Sequence, residues 1–257
     1  MIELTWMVMV EIAILAWILE CIDSATGQFF GTLGSPILIL IGFSPAIVVP
    51  SILLSQAMGG IIATYFHNKY KNADFSNTKT LDIKKVYIVV ICGIIGVIIG
   101  AMLGLKVSKD VLTTFIGVVV LSMGIVIISG VRIKFTWPRM MVLGTVAGGL
   151  KVTSGGGYGP TMTGGQVIIS SEGKNAIGVT DFAEFPICLA GFILWATISQ
   201  SLPPLGILIP MCIGASLAPM VGCWLTYKLH NTRKLNFLLG IIILILGILC
   251  LSKVLNP

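Results

Sequence analysis

The sequence predicts an all-α polytopic membrane protein, and three observations predict it. Of 257 residues, 56% are hydrophobic and only 10% charged, against roughly 25% charged in a soluble domain. Apolar runs of about 18–20 residues recur along the chain, each long enough for a helix to cross a bilayer. The runs are continuous rather than alternating, which argues against a β-barrel. The longest polar stretch, residues 67–85, is too short to fold as a separate module.

The elements follow in order. The N-terminal run "MIELTWMVMVEIAILAWILECID" has no basic n-region and no small-residue cleavage site, so it reads as a retained first helix. It leads into "DSATGQFFGTLGSP" and a second, shorter apolar run, so residues 4–42 read as an interrupted segment. Clear spans follow at 46–66, 86–105 and 111–131. Residues 138–170 repeat the irregular pattern, with "PRMMVLGTVAGGL", then "KVTSGGGYGP", then "TMTGGQVIIS". Spans at 177–199 and 205–227 contain Pro186, Pro210 and Pro219. Proline is tolerated in membrane helices where neighbours satisfy the freed carbonyls. The last span is 236–254.

Lysine and arginine set the expected orientation. The loops 67–85, 132–139 and 228–234 are basic, and the loop 200–204 is uncharged. Placing the basic loops in the cytoplasm of a cell-membrane protein puts both termini outside. The short loop 106–110, with Lys106 and Lys109, also falls outside and runs against the rule. "GTLGSPILILIGFSPAIVV" around Pro36 resembles "GGGYGPTMTGGQVIISSEGKNAIGV" around Pro160. With the loop charges, this predicts two inverted repeats of about five segments, residues 1–131 and 132–257. Each opens with a Gly/Pro-broken helical hairpin, and the tips near 27–36 and 151–160 are expected to meet at mid-membrane.

The breaks carry the chemistry. Three successive glycines, each costing about 1 kcal/mol in a helix relative to alanine, end a helix. Non-helical backbone at membrane depth survives only inside protein or beside water, where its N–H groups can hold an anion. Gly155, Gly156 and Gly157, with the hydroxyls of Thr153 and Ser154, therefore read as an anion cradle. Lys151 lies about 16 Å deep if the helix enters near Met140. A lysine there costs about 3 kcal/mol on insertion scales and needs a counter-charge. The first break offers neutral polar groups instead: Thr26, Gln28, Thr32 and Ser35, with Gly31 and Gly34. Asp181 and Glu184 are three apart and share a helix face, as do Glu20 and Asp23. Asp181, Glu184 and Asp23 are read as proton carriers. Asp181, with Glu184 second, is the expected partner of Lys151. Glycines that serve only close helix packing, and acids that only favour a helix N-terminus, are the competing readings.

Other classes lose support. The six cysteines form no CxxC pair and sit mostly in apolar runs, where they read as small packing residues. The two histidines, His67 and His230, are read as loop residues, which leaves no intramembrane haem ligand. No GxxxxGK[ST], HExxH or GxSxG occurs, so ATPase, metalloprotease and serine-hydrolase signals are missing. The net charge of +6 sits in loops and implies no nucleic acid. No cofactor, metal or enzymatic activity is expected, and the sequence says nothing of oligomeric state.

At Gly148, Gly149, "SGGGYGP" and "NAIGVTDFAE" the chain is similar to the sulfite exporter TauE/SafE family of membrane transporters. The first copy is degraded, with "GTLGSP" in place of a fuller glycine run, and Pro50-Ser51 where the second copy has Thr180-Asp181. The resemblance implies two related halves and transport of a small sulfur-containing anion such as sulfite, a sulfonate or thiosulfate. It carries Gly155, Gly156, Gly157 and Pro160, and less directly Gly31, Gly34 and Pro36, as site residues. The expected partners are that anion and the lipid bilayer. An anion channel and a non-transporting scaffold are the rivals. A channel would need a continuous polar pore, which the apolar inner spans do not supply.

Overall fold

The computed structural model describes residues 5–104, 108–129, 136–166, 173–228 and 233–255. Among the described residues the structure is all helical, without strands. The elements are α1 (Trp6–Thr26), α2 (Phe30–Ile41), α3 (Pro45–Lys69), α4 (Leu81–Gly104), α5 (Lys109–Ser129), α6 (Trp137–Ser154), α7 (Tyr158–Gln166), α8 (Gly173–Ser199), α9 (Leu205–Leu217), α10 (Pro219–Lys228) and α11 (Arg233–Leu255). Among the described residues, five stretches are long and apolar enough to cross a membrane: Pro45–Lys69, Leu81–Met102, Lys109–Ser129, Lys174–Ser199 and Leu205–Lys228. The span predicted at 205–227 bends at Ala218, because Pro219 brings no N–H to continue the ladder. Lys106, Arg132, Lys134 and His230 lie outside the described residues, so the charged loops 106–110, 132–139 and 228–234 fall only partly within them.

Both irregular regions are broken hairpins. α1 ends at Gly27 and α6 at Gly155, each glycine left-handed at φ 72°. A glycine there avoids the Cβ penalty of the left-handed region. α2 and α7 then resume after three residues.

Small residues set the helix contacts, as they do in membranes. α4 lies on α6, where Gly96 faces the Thr145 carbonyl, Gly100 faces Gly149, and Gly148 faces Gly93. α9 lies on α1, where Gly214 faces the Ala13 carbonyl and Ala16. α5 and α11 pair through Gly117 against Leu251, Gly124 against Leu244 and Gly247 against Leu121. α3 and α8 run antiparallel through the centre. Gln56 meets Glu184, Gly60 meets Asp181 and Phe185, and His67 meets Asp181 and Gly178.

The turn between α3 and α4, residues 70–80, is polar. Lys71 adopts φ 57°, and Asp82 accepts from the Asp74 N–H and from Asn175. The Ser76 hydroxyl and backbone N–H beside Asp74 hold its carboxyl below the usual range.

Candidate functional site

The two hairpin tips meet face to face. A Cβ on Gly31 would run into the Gly155 carbonyl, and one on Gly159 into the Gly27 carbonyl and Gln28. Ser35 donates to the Ser154 carbonyl at 2.7 Å, and Thr163 donates to the Gly27 carbonyl at 2.8 Å. The close approaches are reciprocal at a constant offset of 128 residues (27 to 155, 31 to 159, 35 to 163), with Ser35 against Gly155 and Thr163 against Gly27, while the two hydroxyls take carbonyls one residue apart in that register. The sequence comparison set Pro36 opposite Pro160; the contacts set Pro160 opposite Thr32 instead. A proline follows each glycine break, but the left-handed glycines fix the register.

The same offset pairs Asp23 with Lys151 and Gln56 with Glu184, and these four side chains form one buried network. Each stands on a buried face at helical spacing: 16, 20 and 23 on α1; 56, 60, 63 and 67 on α3; 140, 144, 147 and 151 on α6; 177, 181, 184 and 188 on α8. The Lys151 ammonium lies 2.5 Å from Glu184 Oε1 and donates also to Gln56 Oε1. The Gln56 amide turns its N–H groups to Glu184 at 2.9 Å and Asp23 at 3.2 Å. The other oxygen of Asp23 accepts the N–H groups of Phe29 and Phe30, capping α2. Lys151 is 1% exposed, so it does not reach for the interface, and its Nζ stands 6.0 Å from the Tyr158 ring centroid.

Two expectations are corrected. Lys151 pairs with Glu184, not Asp181, because Glu184 stands nearly one turn further along α8 and faces α6. Asp181 lies 2.9 Å from His67 Nε2 instead. His67 is therefore no loop residue: it is fully buried in the last turn of α3, on the face it shares with Gln56. Asp181 and Glu184 are also well inside α8, which starts at Gly173, and do not serve its first turn. Glu20 is buried on α1 and bonds Ser24 at 3.0 Å.

The predicted cradle is bonded internally in this conformation. Gly155 N–H donates to the Lys151 carbonyl at 2.8 Å, Gly156 N–H to Ser154 Oγ at 3.1 Å, and Gly157 N–H to Thr32 Oγ1 at 3.3 Å. Thr26, Thr153 and Ser154 spend their hydroxyls on carbonyls of their own helices, and Thr32 on Gln28. Gln28 donates to the Thr26 carbonyl, and Gly34 packs on Leu19 and Ile52. Four buried polar atoms have no partner among the described residues: Glu20 Oε2, Asn72 Oδ1, Tyr158 Oη and Asp181 Oδ1.

Asp23, Asp181 and Glu184 each bring an oxygen within 4.8 Å of the others, a spacing at which a cation could bind. Those carboxylates already accept from backbone N–H groups, Gln56, His67 and Lys151. The ammonium supplies the positive charge, so the set reads as an ion-pair and hydrogen-bond network rather than a metal centre.

Sequence reasoning missed Gln56, His67 and Tyr158. The signal for the first two was the stripe Gln56–Gly60–Ala63–His67, at helical spacing on an otherwise apolar span.

The family described as Sulfite exporter TauE/SafE matches residues 12–250. The chain is 26% identical over 259 residues to "Probable membrane transporter protein YtnM" of Bacillus subtilis (strain 168), covering 92% of this chain and 81% of that protein. No solved structure matches it.

Proposed function

This chain belongs to the sulfite exporter TauE/SafE family of membrane transporters, and we propose that it carries a small sulfur-containing anion. The anion is of the sulfite, sulfonate or thiosulfate class. The carrier is secondary and proton-coupled, and works by alternating access between two inverted halves, residues 1–131 and 132–257. The reciprocal tip contacts and the antiparallel α3 and α8 support the two-halves reading. The basic loops 67–85, 132–139 and 228–234 are assigned to the cytoplasm of a cell-membrane protein.

One observation carries the functional reading: a fully buried ammonium, Lys151, held by a carboxylate beside the place where the two tips meet. An isolated ammonium in a dry interior needs a counter-charge at all times. Here Glu184 supplies it. Protonating Glu184 forms an O–H bond and cancels that charge, which leaves the ammonium to an incoming oxyanion. Proton and anion thus load together, and neither loads well alone. Asp23 and Asp181 stand close enough to share the proton. Parting of the tips frees Gly157 N–H from Thr32 for the same anion, alongside Ser154.

Flux of radiolabelled sulfite and thiosulfate into proteoliposomes of the purified chain tests this. Saturable uptake, accelerated by an imposed pH gradient, is expected. Linear, unsaturable flux would mean a channel. Absence of flux for every sulfur anion would mean a scaffold and overturn the reading.

A further inference from the structure

The geometry points to a proton relay on one side only. We propose that the buried pair His67–Asp181 carries protons between the polar turn 70–80 and the carboxylates around Lys151. The inference rests on the proton-coupled reading of that site.

The tautomer of His67 follows from its neighbours. Asn72 Nδ2 lies 2.9 Å from the Cys223 carbonyl, which can only accept, so that atom is the amide nitrogen. It lies also 3.0 Å from His67 Nδ1, which therefore accepts. The ring proton is on Nε2 and points at Asp181 Oδ2, 2.9 Å away. The other Asp181 oxygen has no partner among the described residues. Asp181 also belongs to the carboxylate group within 4.8 Å of Asp23 and Glu184. The pair thus has a carboxylate cluster on one side. On the other, Asn72 leads within two residues to the exposed Asp74.

The fold itself does not call for this pair. At the 128-residue offset that relates the tips, Trp195 stands for His67 and Leu53 for Asp181. Both are buried, and neither titrates near neutral pH: the indole N–H of Trp195 is spent on the Val152 carbonyl at 2.7 Å. A brace between α3 and α8 could do without a titratable group, as its counterpart does.

The step balances as follows. Asn72 withdraws, and the Nδ1 lone pair takes a proton from hydronium in the 70–80 turn, leaving water. The Nε2–H bond breaks, and its proton forms an O–H bond on ionised Asp181 Oδ2. The ring is neutral again, in the opposite tautomer; it resets when Nδ1 gives its proton to water and Nε2, swung to the same water, takes one back. The groups facing the His67 ring are Asn72 from the turn and Asp181 from α8. The charges that act on Asp181 are Asp23, Glu184, Glu20 and Lys151, and the Cys223 thiol of α10 also lies within range.

The test uses the full chain in proteoliposomes, with a trapped pH dye and radiolabelled sulfite. His67→Gln keeps an N–H for Asp181 but cannot relay. Proton-linked net flux should fall at least about tenfold and lose its pH profile, while sulfite–sulfite exchange stays within about twofold of the parent. Net flux and pH profile unchanged in His67→Gln would make the pair a brace and overturn the relay. No proton movement in the parent protein would overturn the coupled reading and the relay with it. A second measurement leaves His67 in place. The chain has two histidines, so His230→Gln with ¹⁵N-histidine gives one imidazole spectrum. Its tautomer or protonation signal should change on adding sulfite. A signal invariant with sulfite between about pH 5 and pH 9 would overturn the relay.

Discussion

Gly27 and Gly155 end their helices in the same left-handed turn, φ 72° in each, yet four residues before them stand an aspartate and a lysine. The backbone of the two tips matches contact for contact: Gly31 on Gly155, Gly159 on Gly27, Ser35 on one carbonyl and Thr163 on the other. The chemistry does not match. Asp23 spends an oxygen capping α2. Lys151 has nothing to accept with, so the second break is served from across the interface, by Thr32 to Gly157 N–H. Gln56 and Glu184 repeat the contrast between a neutral and a charged group. The backbone of the tips is therefore doubled while the charge is not, and the ammonium of this network stands on α6 alone.

The largest effect should come from breaking the charged member. Lys151→Met strands Glu184 and the Gln56 carbonyl in the interior, a loss of about 3–5 kcal/mol for a broken buried pair. Sulfite should then give no thermal stabilisation. Lys151→Met with Glu184→Gln should recover most of the melting temperature and none of the ligand response. Full ligand response in either variant would remove Lys151 from the site.

A second test asks whether the tips are equal in backbone. Gly31→Ala and Gly159→Ala each push a methyl into a facing carbonyl that cannot move aside. Each should cost about 1–3 kcal/mol or more. Melting curves of the two should shift by similar amounts. A large shift in one and none in the other would break the equivalence.

How much of this could be read beforehand divides along the same line. The helical spans, both glycine breaks and the need of Lys151 for a counter-charge follow from composition and period, which are local properties of the chain. The partner of Lys151 was not legible. Asp181 and Glu184 share one face, and only the angle between α6 and α8 decides which of them the ammonium meets. The register of the halves was misread from Pro36 and Pro160, because proline marks a break without fixing its phase. Gln56 was missed because a neutral amide inside an apolar span carries no charge to mark it, and His67 because a histidine beside a polar turn looks like ordinary loop chemistry. Their helical spacing was the evidence that they face inward.

Asp23→Asn sharpens the chemical side. The asparagine oxygen can still cap α2, so the fold should lose only about 1 kcal/mol. Its amide N–H groups, however, face those of Gln56 across 3.2 Å. Gln56 must turn, and Lys151 then loses its second acceptor. Sulfite affinity measured by titration should fall about tenfold. Unchanged affinity would show that Gln56 does not link the two tips.

The smallest effects bear on the tip contact itself. Ser35→Ala and Thr163→Val each remove one hydroxyl that crosses between the halves, and leave a carbonyl of the opposite tip with one partner fewer. Hydrogen bonds between membrane helices contribute about 0.6 kcal/mol on average and up to about 1.7. Each variant should therefore melt only slightly below the parent. Because Ser35 and Thr163 hold different carbonyls, on opposite sides of the contact, their losses should add within about 0.5 kcal/mol. Ligand stabilisation should survive in both, since neither side chain touches Lys151. Differential scanning of the two variants and their double decides it. A double variant that loses far more than the sum would mean that the tips open as one cooperative unit, held by either hydroxyl alone. That outcome would replace two independent clasps with a single latch between the halves.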